Sequence, residues 1–285
     1  MPADTETALP TLPESPPPRH LTLKERVMSN FIQGPLFCSA TAAFGTVSLL
    51  ASLTEKDGRR QHRIARAWAR VSLKIAGSPI HVTGLDVVHN HPVAVYACNH
   101  LSYMDTPAIF AALPFQFRIL ARSDLWRLPF IGWHLNRSGQ IRVAVDNPRA
   151  SIASLTNGVR ALKAGMPLFV FPEGGRSRDG QLGPFMSGPA YMAIRAAVPL
   201  IPMALAGTYE LLPIHTRHFS PRPLELRIGA PIPTTNLNAR QSEALTAQLR
   251  QAIEELRAGP SSNTAAPPSN TAASSSNPAA PSSNR

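Results

Sequence analysis

Apolar and polar positions divide the chain into four stretches. Residues 1–20 carry a cluster of prolines and no apolar periodicity, and residues 259–285 contain only Gly, Pro, Ser, Asn, Thr, Ala and a terminal Arg. Neither stretch can bury enough apolar surface to offset the entropy of ordering, so both are expected to be disordered tails. Val27 to Thr54 is an uncharged run, broken early by Gly34-Pro35 and diluted by Ser and Thr. Its length suffices to cross a bilayer, and membrane association ranks above an ordinary buried helix. Residues 59–75 come next, at helical spacing. Ile64, Trp68, Val71 and Ile75 form one stripe, and Arg59, Arg63, Arg66, Arg70 and Lys74 form a second beside it. That pairing suits a helix in an anionic membrane interface. A helix packed on the core with a solvated charged face is the plainer alternative. Should residues 31–53 span the bilayer, the Lys and Arg between 56 and 74 put the downstream domain on the cytoplasmic side of the plasma (inner) membrane.

Beyond residue 78 the pattern alternates. Short apolar runs at 80–83, 93–97, 115–121, 140–145, 168–171, 200–206 and 224–228 read as strands. Helical spacing appears at 105–113, at 150–164 behind a Ser151 cap, at 188–197 and at 239–257. Strand–helix alternation predicts an α/β domain with a largely parallel central sheet flanked by helices, behind an N-terminal membrane-associated helical segment. The expected division is a tail at 1–20, the helical segment at 21–77, the α/β domain at 78–258 and a tail at 259–285.

Charge adds a partner class. The net charge is +11, and the tails contribute little of it: Asp4, Glu6 and Glu14 stand against Arg19, and Arg285 ends the chain. A basic core suggests an anionic lipid, a phosphorylated substrate or nucleic acid. Aromatics at 6% without basic–aromatic interleaving argue against nucleic acid. Two cysteines, Cys38 and Cys98, exclude a disulfide scaffold and a Cys-rich zinc site.

Two motifs carry chemistry. Asn99-His100-Leu101-Ser102-Tyr103-Met104-Asp105 follows the second strand. His100 and Asp105 can meet only if a turn precedes the helix and Asp105 stands at its start; the carboxylate then fixes the tautomer and leaves one ring nitrogen as a general base. A lone His near an Asp is more often structural than catalytic. Phe171-Pro172-Glu173-Gly174-Gly175-Arg176-Ser177 follows the fifth strand. Its glycines let backbone N–H groups approach a ligand, and Arg176 can fork onto a phosphate, whereas a glycine turn with a surface ion pair is the bland reading. Both motifs follow carboxyl ends of expected parallel strands, where such sheets bind ligands. Arg122 and Arg149 sit at two further ends and complete an expected anion pocket. No Gly-x-Ser-x-Gly elbow and no zinc-ligand spacing occur.

These residues resemble the 1-acyl-sn-glycerol-3-phosphate (lysophosphatidate) acyltransferases and their glycerolipid relatives, over about residues 90–213. Asn99-His100 with Asp105 is similar to that family's N-H-x-x-x-x-D block. Phe171 to Ser177 is similar to its F-P-E-G-T-R-S block, with Gly175 in place of Thr, and Val198-Pro199-Leu200-Ile201-Pro202 to its V-P-x-x-P block. The resemblance implies acyl transfer from a thioester of acyl carrier protein or coenzyme A to a lysolipid hydroxyl. His100 and Asp105 would be catalytic; Glu173, Gly174, Arg176, Ser177, Arg122, Arg149 and Asn99 would bind substrate. It implies no metal and no cofactor beyond the thioester, and membrane lipids as partners. The chain departs from the family at one place: Ala144 and Val145 stand where Asp-Arg is usual. Either Arg142 or Arg149 substitutes, or the acceptor differs: lyso-ornithine lipid, another lysophospholipid or glycerol 3-phosphate. A non-catalytic membrane-surface protein is the remaining reading.

Overall fold

Seven strands form one sheet: β1 (Ile80–Thr83), β2 (Val95–Cys98), β3 (Arg118–Arg122), β4 (Ile141–Val143), β5 (Leu168–Val170), β6 (Leu200–Ala206) and β7 (Leu224–Ile228). The computed structural model describes residues 22–55, 57–143, 148–214 and 216–259. The tail expected at 1–20, that at 259–285 apart from Gly259, and Ala144 and Val145 lie outside the described residues. The strand order is β1-β7-β6-β2-β5-β3-β4. Every neighbouring pair is parallel except β6 and β7. The burial of each strand follows its place. β2 and β5, in the middle, are buried at every residue, while β1 and β7 towards one edge alternate. Central strands covered on both faces read as unbroken apolar runs, and half-covered ones alternate.

The helices are α1 (Leu23–Met28), α2 (Gly34–Ala51), α3 (Arg59–Ile75), α4 (Leu85–Asn90), α5 (Asp105–Ala112), α6 (Ile131–Arg137), α7 (Pro148–Lys163), α8 (Gly188–Ala196), α9 (Thr208–Leu211) and α10 (Ser242–Ala258). One core lies between the sheet and α3 and α5, with Ala69, Leu73, Ile109 and Phe117 against Tyr96 and Phe169. The second lies on the opposite face under α7, α8 and α10, where Leu162, Met192, Leu249 and Ile253 meet Val95, Val170 and Leu200.

A π-helical turn at Ser29–Gln33 joins α1 to α2, so Leu23–Ala51 is one continuous helix, long and apolar enough to cross a membrane. Only 6% of its most apolar window is buried, and Leu23, Phe31, Leu36, Val47 and Leu50 are exposed. Four of its polar residues bond to the domain instead. Ser29 Oγ accepts the Phe219 N–H at 2.7 Å, and Gln33 Nε2 donates to the Ile75 carbonyl at 3.0 Å. Thr41 Oγ1 accepts from Trp68 Nε1 at 3.1 Å, and Ser48 Oγ lies 2.6 Å from His134 Nδ1. Gly45 permits the close approach of α2 to α6, because a Cβ there would fall 2.7 Å from Phe130 Cβ.

The segment Ser123–Arg137, a 3₁₀ turn followed by α6, was not predicted from the sequence. Its large apolar residues Leu128, Ile131 and Trp133 are exposed and follow neither a helical nor a strand period.

Candidate active site

β2 and β5 are parallel neighbours, with Ala97 opposite Val170, so the two motifs leave the sheet side by side at its carboxyl edge. The chain after β2 turns through Ser102 to Met104 before α5 begins at Asp105. That turn lets residues five apart face each other. His100 Nδ1 lies 2.7 Å from Asp105 Oδ2. The same oxygen accepts the Leu101 N–H at 2.6 Å and the Ser102 N–H at 2.8 Å. Asp105 is fully buried, and its Oδ1 has no hydrogen-bond partner among the described residues. A carboxylate held by three donors fixes the proton on Nδ1 and turns the Nε2 lone pair towards the edge of the sheet. Phe171 stacks on the imidazole, with centroids 3.9 Å apart and an 11° interplanar angle. One face of the ring is thereby closed.

Glu173 ties the two loops together. Its Oε1 accepts the His100 N–H at 2.7 Å, and its Oε2 accepts the Gly183 N–H at 2.9 Å. Burial pushes its carboxyl above the ordinary range, and these two bonds oppose the push. The Ser177 N–H donates to the His100 carbonyl at 2.9 Å, which closes a second link between the loops. Gly174 makes the turn at φ +67°, and a Cβ there would fall 2.5 Å from Met186 Cε.

Arg176 lies over the Tyr103 ring, 4.0 Å from its centroid. Its Nε has no hydrogen-bond partner among the described residues, and burial lowers its guanidinium from the usual value. Arg122 at the end of β3 is close enough to Arg176 to lower it further. Beside them is a cavity of about 360 Å³ lined by Arg122, Ser123, Asp124, Trp126, Arg127, Arg142 and Val143. Arg142 stacks on Trp126 with its guanidinium carbon 4.8 Å from the ring centroid. Arg176 is half-buried, Arg122, Arg127 and Arg142 are exposed, and Arg122 lies 3.3 Å from Asp124; grouped cations of this kind can receive an anion.

The structure thus brings His100, Asp105, Glu173, Gly174, Arg176 and Arg122 to one edge. Two residues expected to bind substrate have other employment. The Asn99 carboxamide is fully buried and spent on β6: Nδ2 donates to the Leu205 carbonyl at 2.9 Å, and Oδ1 accepts the Leu205 N–H at 2.8 Å. It aligns β2 and β6 rather than touching a ligand. Ser177 Oγ donates to Asp179 Oδ1 at 2.9 Å, which makes it a turn residue. Arg149 sits at the start of α7, and its side chain lies outside what the structure describes. Arg127 was not among the expected binding residues, and Arg142 was expected only as an alternative to Arg149. The signal for Arg142 was its place on the strand that lacks the usual Asp-Arg. None marked Arg127.

Residues 79–206 match the family model described as Acyltransferase. Several relatives that the chain matches carry the name 1-acyl-sn-glycerol-3-phosphate acyltransferase. The chloroplastic protein of that name from Brassica napus is 28% identical over 199 residues, covering 65% of this chain and 56% of its own. That of Arabidopsis thaliana is 31% identical over 156 residues, 53% and 42% of the two chains. The chain thus spans about half the length of these plant relatives. The protein of the same name from Saccharomyces cerevisiae is 28% identical over 223 residues, 76% of this chain and 73% of its own. Among solved structures, the 1-acyl-sn-glycerophosphate acyltransferase of Thermotoga maritima aligns with a TM-score of 0.66 at 21% identity, over 81% of this chain and 98% of its own. That likeness establishes the α/β fold.

Proposed function

We propose that the chain transfers an acyl group from a thioester to the free hydroxyl of 1-acylglycerol 3-phosphate, giving phosphatidic acid at a membrane surface. The observation that carries this reading is the 2.7 Å contact of His100 Nδ1 with the buried Asp105, which leaves Nε2 bare. Nε2 takes the hydroxyl proton as the oxygen attacks the thioester carbonyl. The new C–O ester bond forms as the C–S bond breaks. The imidazolium then returns its proton to the departing thiolate, and its charge in between is stabilised by Asp105. No cofactor is needed for these proton transfers. The donor is the thioester of acyl carrier protein or coenzyme A.

Arg176 and Arg122 receive the acceptor phosphate, and Arg142 is the better stand-in for the missing Asp-Arg, because it lines the same cavity as Arg122. The helix Leu23–Ala51 lies along one leaflet rather than across both. Its clasps to the domain run from Ser29 to Ser48, so one side of the helix is occupied by protein while the other is apolar and exposed.

Assay of the detergent-purified chain against equal concentrations of lysophosphatidate, other lysophospholipids, lyso-ornithine lipid and glycerol 3-phosphate, with both carriers, tests the reading. Preference for lysophosphatidate is expected. A preference for a phosphate-free acceptor would overturn the acceptor assignment and leave the reaction standing. No transfer from either carrier to any acceptor would overturn both.

A further inference from the structure

The loop after the Glu173 motif has no helix or strand from Phe171 to Ser187. Something else must fix it. Helix α10 lies outside the family-matched segment 79–206 and is anchored by Leu245, Leu249 and Ile253, which are buried in the core that also contains Leu200 of β6. Two arginines reach from it to the loop carbonyls. Arg250 Nη1 donates to Gly183 and Nη2 to Leu182, the latter at 3.3 Å. Arg257 Nη2 donates to Gly180 at 2.7 Å. Arg250 is itself held by Glu254, 2.9 Å away, and lies over the Phe185 ring, 5.5 Å from its centroid.

One peptide group connects this clamp to the catalytic loop. The unit between Leu182 and Gly183 presents its carbonyl to Arg250 and its N–H to Glu173 Oε2, at 2.9 Å. The other oxygen of Glu173 holds the His100 N–H at 2.7 Å. A cation on the carbonyl of a peptide polarises that peptide's N–H and strengthens its bond to a carboxylate.

We propose that Arg250, assisted by Arg257, is a positioning residue for acyl transfer: it holds the Leu182–Gly183 peptide, and through Glu173 that peptide sets the backbone of His100. This inference rests on the acyltransferase reading above. A merely structural arginine would stabilise the loop without changing the chemistry, and the two roles separate experimentally. The charged groups facing Glu173 are His100 and Arg257. With those unchanged, weakening the Gly183 bond makes Glu173 easier to protonate and moves the acidic limb of the rate profile upwards in pH.

The experiment compares Arg250→Ala, Arg250→Lys and Arg257→Ala with the parent chain, with Glu243→Ala on the exposed side of α10 as control. Arg250→Ala is expected to lower kcat about 10-fold with little change in the KM for lysophosphatidate, since small misplacements of a reacting group cost that much or more. Its acidic limb should shift upwards, Arg250→Lys should recover most of the rate, and Arg257→Ala should fall between. Amide hydrogen exchange provides a readout that needs no turnover. Exchange should quicken in peptides spanning 100–102 and 180–185 and stay unchanged in β2 and β6. Unchanged kcat and pH profile, or faster exchange throughout the domain, would overturn the proposal. A parent chain without transfer activity would defeat the acyltransferase reading instead, and local exchange in Arg250→Ala would still decide whether the clamp holds the His100 loop.

Discussion

Asp105 shows how much one side chain can be asked to do. It is a fully buried carboxylate that loads three donors onto Oδ2 and, among the described residues, leaves Oδ1 without one. Burying a charge is tolerable only with such donors. Replacing Asp105 by Asn removes the charge that holds the imidazole tautomer, and by comparison with an orienting Asp in a catalytic triad, kcat is expected to fall on the order of 10⁴-fold. His100→Ala should leave no measurable turnover while circular dichroism stays that of the parent. Residual activity within tenfold of the parent in either variant would remove His100 as the base. Gly174→Ala forces a side chain into φ +67° and against Met186, at a cost of roughly 1 kcal/mol or more, so it should lower both the melting midpoint and kcat. At this scale the sequence was informative where spacing matters. The five-residue gap implied a turn before the helix, and the turn is there. It was uninformative where a polar group serves the backbone. Nothing about Asn99 in a linear chain says that Leu205 consumes its amide.

Helices α2 and α3 show what periodicity can and cannot reveal. The amphipathic character of α3 was legible because a helix sorts residues by angle, but its buried side is Ala65, Ala69, Ser72 and Leu73, next to the expected stripe, of which Ile64, Trp68 and Ile75 are half-buried and Val71 is exposed. For the uncharged run, composition alone left crossing the bilayer and lying along it equally open. The clasps that support the proposed in-plane placement join residues far apart in the chain. One of the joining groups, His134, is a buried histidine, and a second buried histidine, His62, lies on α3. Burial holds His62, between Phe110 and Phe117, and His134, on Ser48, both down to about 4 from the usual 6.5. Such a group leaves stability intact above about pH 6.5. As pH falls towards 4 the unfolded chain takes up a proton that the folded one refuses, and stability drains away. The melting midpoint should therefore drop between pH 7 and 4.5, and His62→Leu should reduce the drop. An equally steep drop in the variant would clear His62 of responsibility. The same helices predict a membrane phenotype: Leu50→Asp together with Phe31→Asp should weaken sedimentation with anionic vesicles by at least tenfold, since full burial of a large apolar side chain contributes roughly 1.5–3 kcal/mol.

At the scale of the molecule, strand order and charge act together. The motifs end parallel neighbours β2 and β5, and Arg122 ends β3 on the far side of β5, so the sheet brings the His100 imidazole and the cations to one edge. All seven strands were visible in the sequence to within a few residues, because central strands are apolar throughout. Their spatial order was not, since pairing is decided by contacts that no local pattern encodes. Positive charge is spread over the same body, +11 in all. Vesicle binding should accordingly fall steeply between 50 and 500 mM salt for anionic lipid and little for neutral lipid, as surface charges are screened over about 10 Å or less. Equal loss on both lipids would show that the apolar helix, not the charge, governs attachment.

The four clasps between Ser29 and Ser48 have a mechanical consequence. A body held at one point can swing; one held along a line can only ride with its support. The imidazole should therefore stay at a constant depth and tilt relative to the lipid headgroups. On the proposed membrane placement and acceptor, movement at the site falls to the lipids, which would have to rise or sink to meet a stationary imidazole.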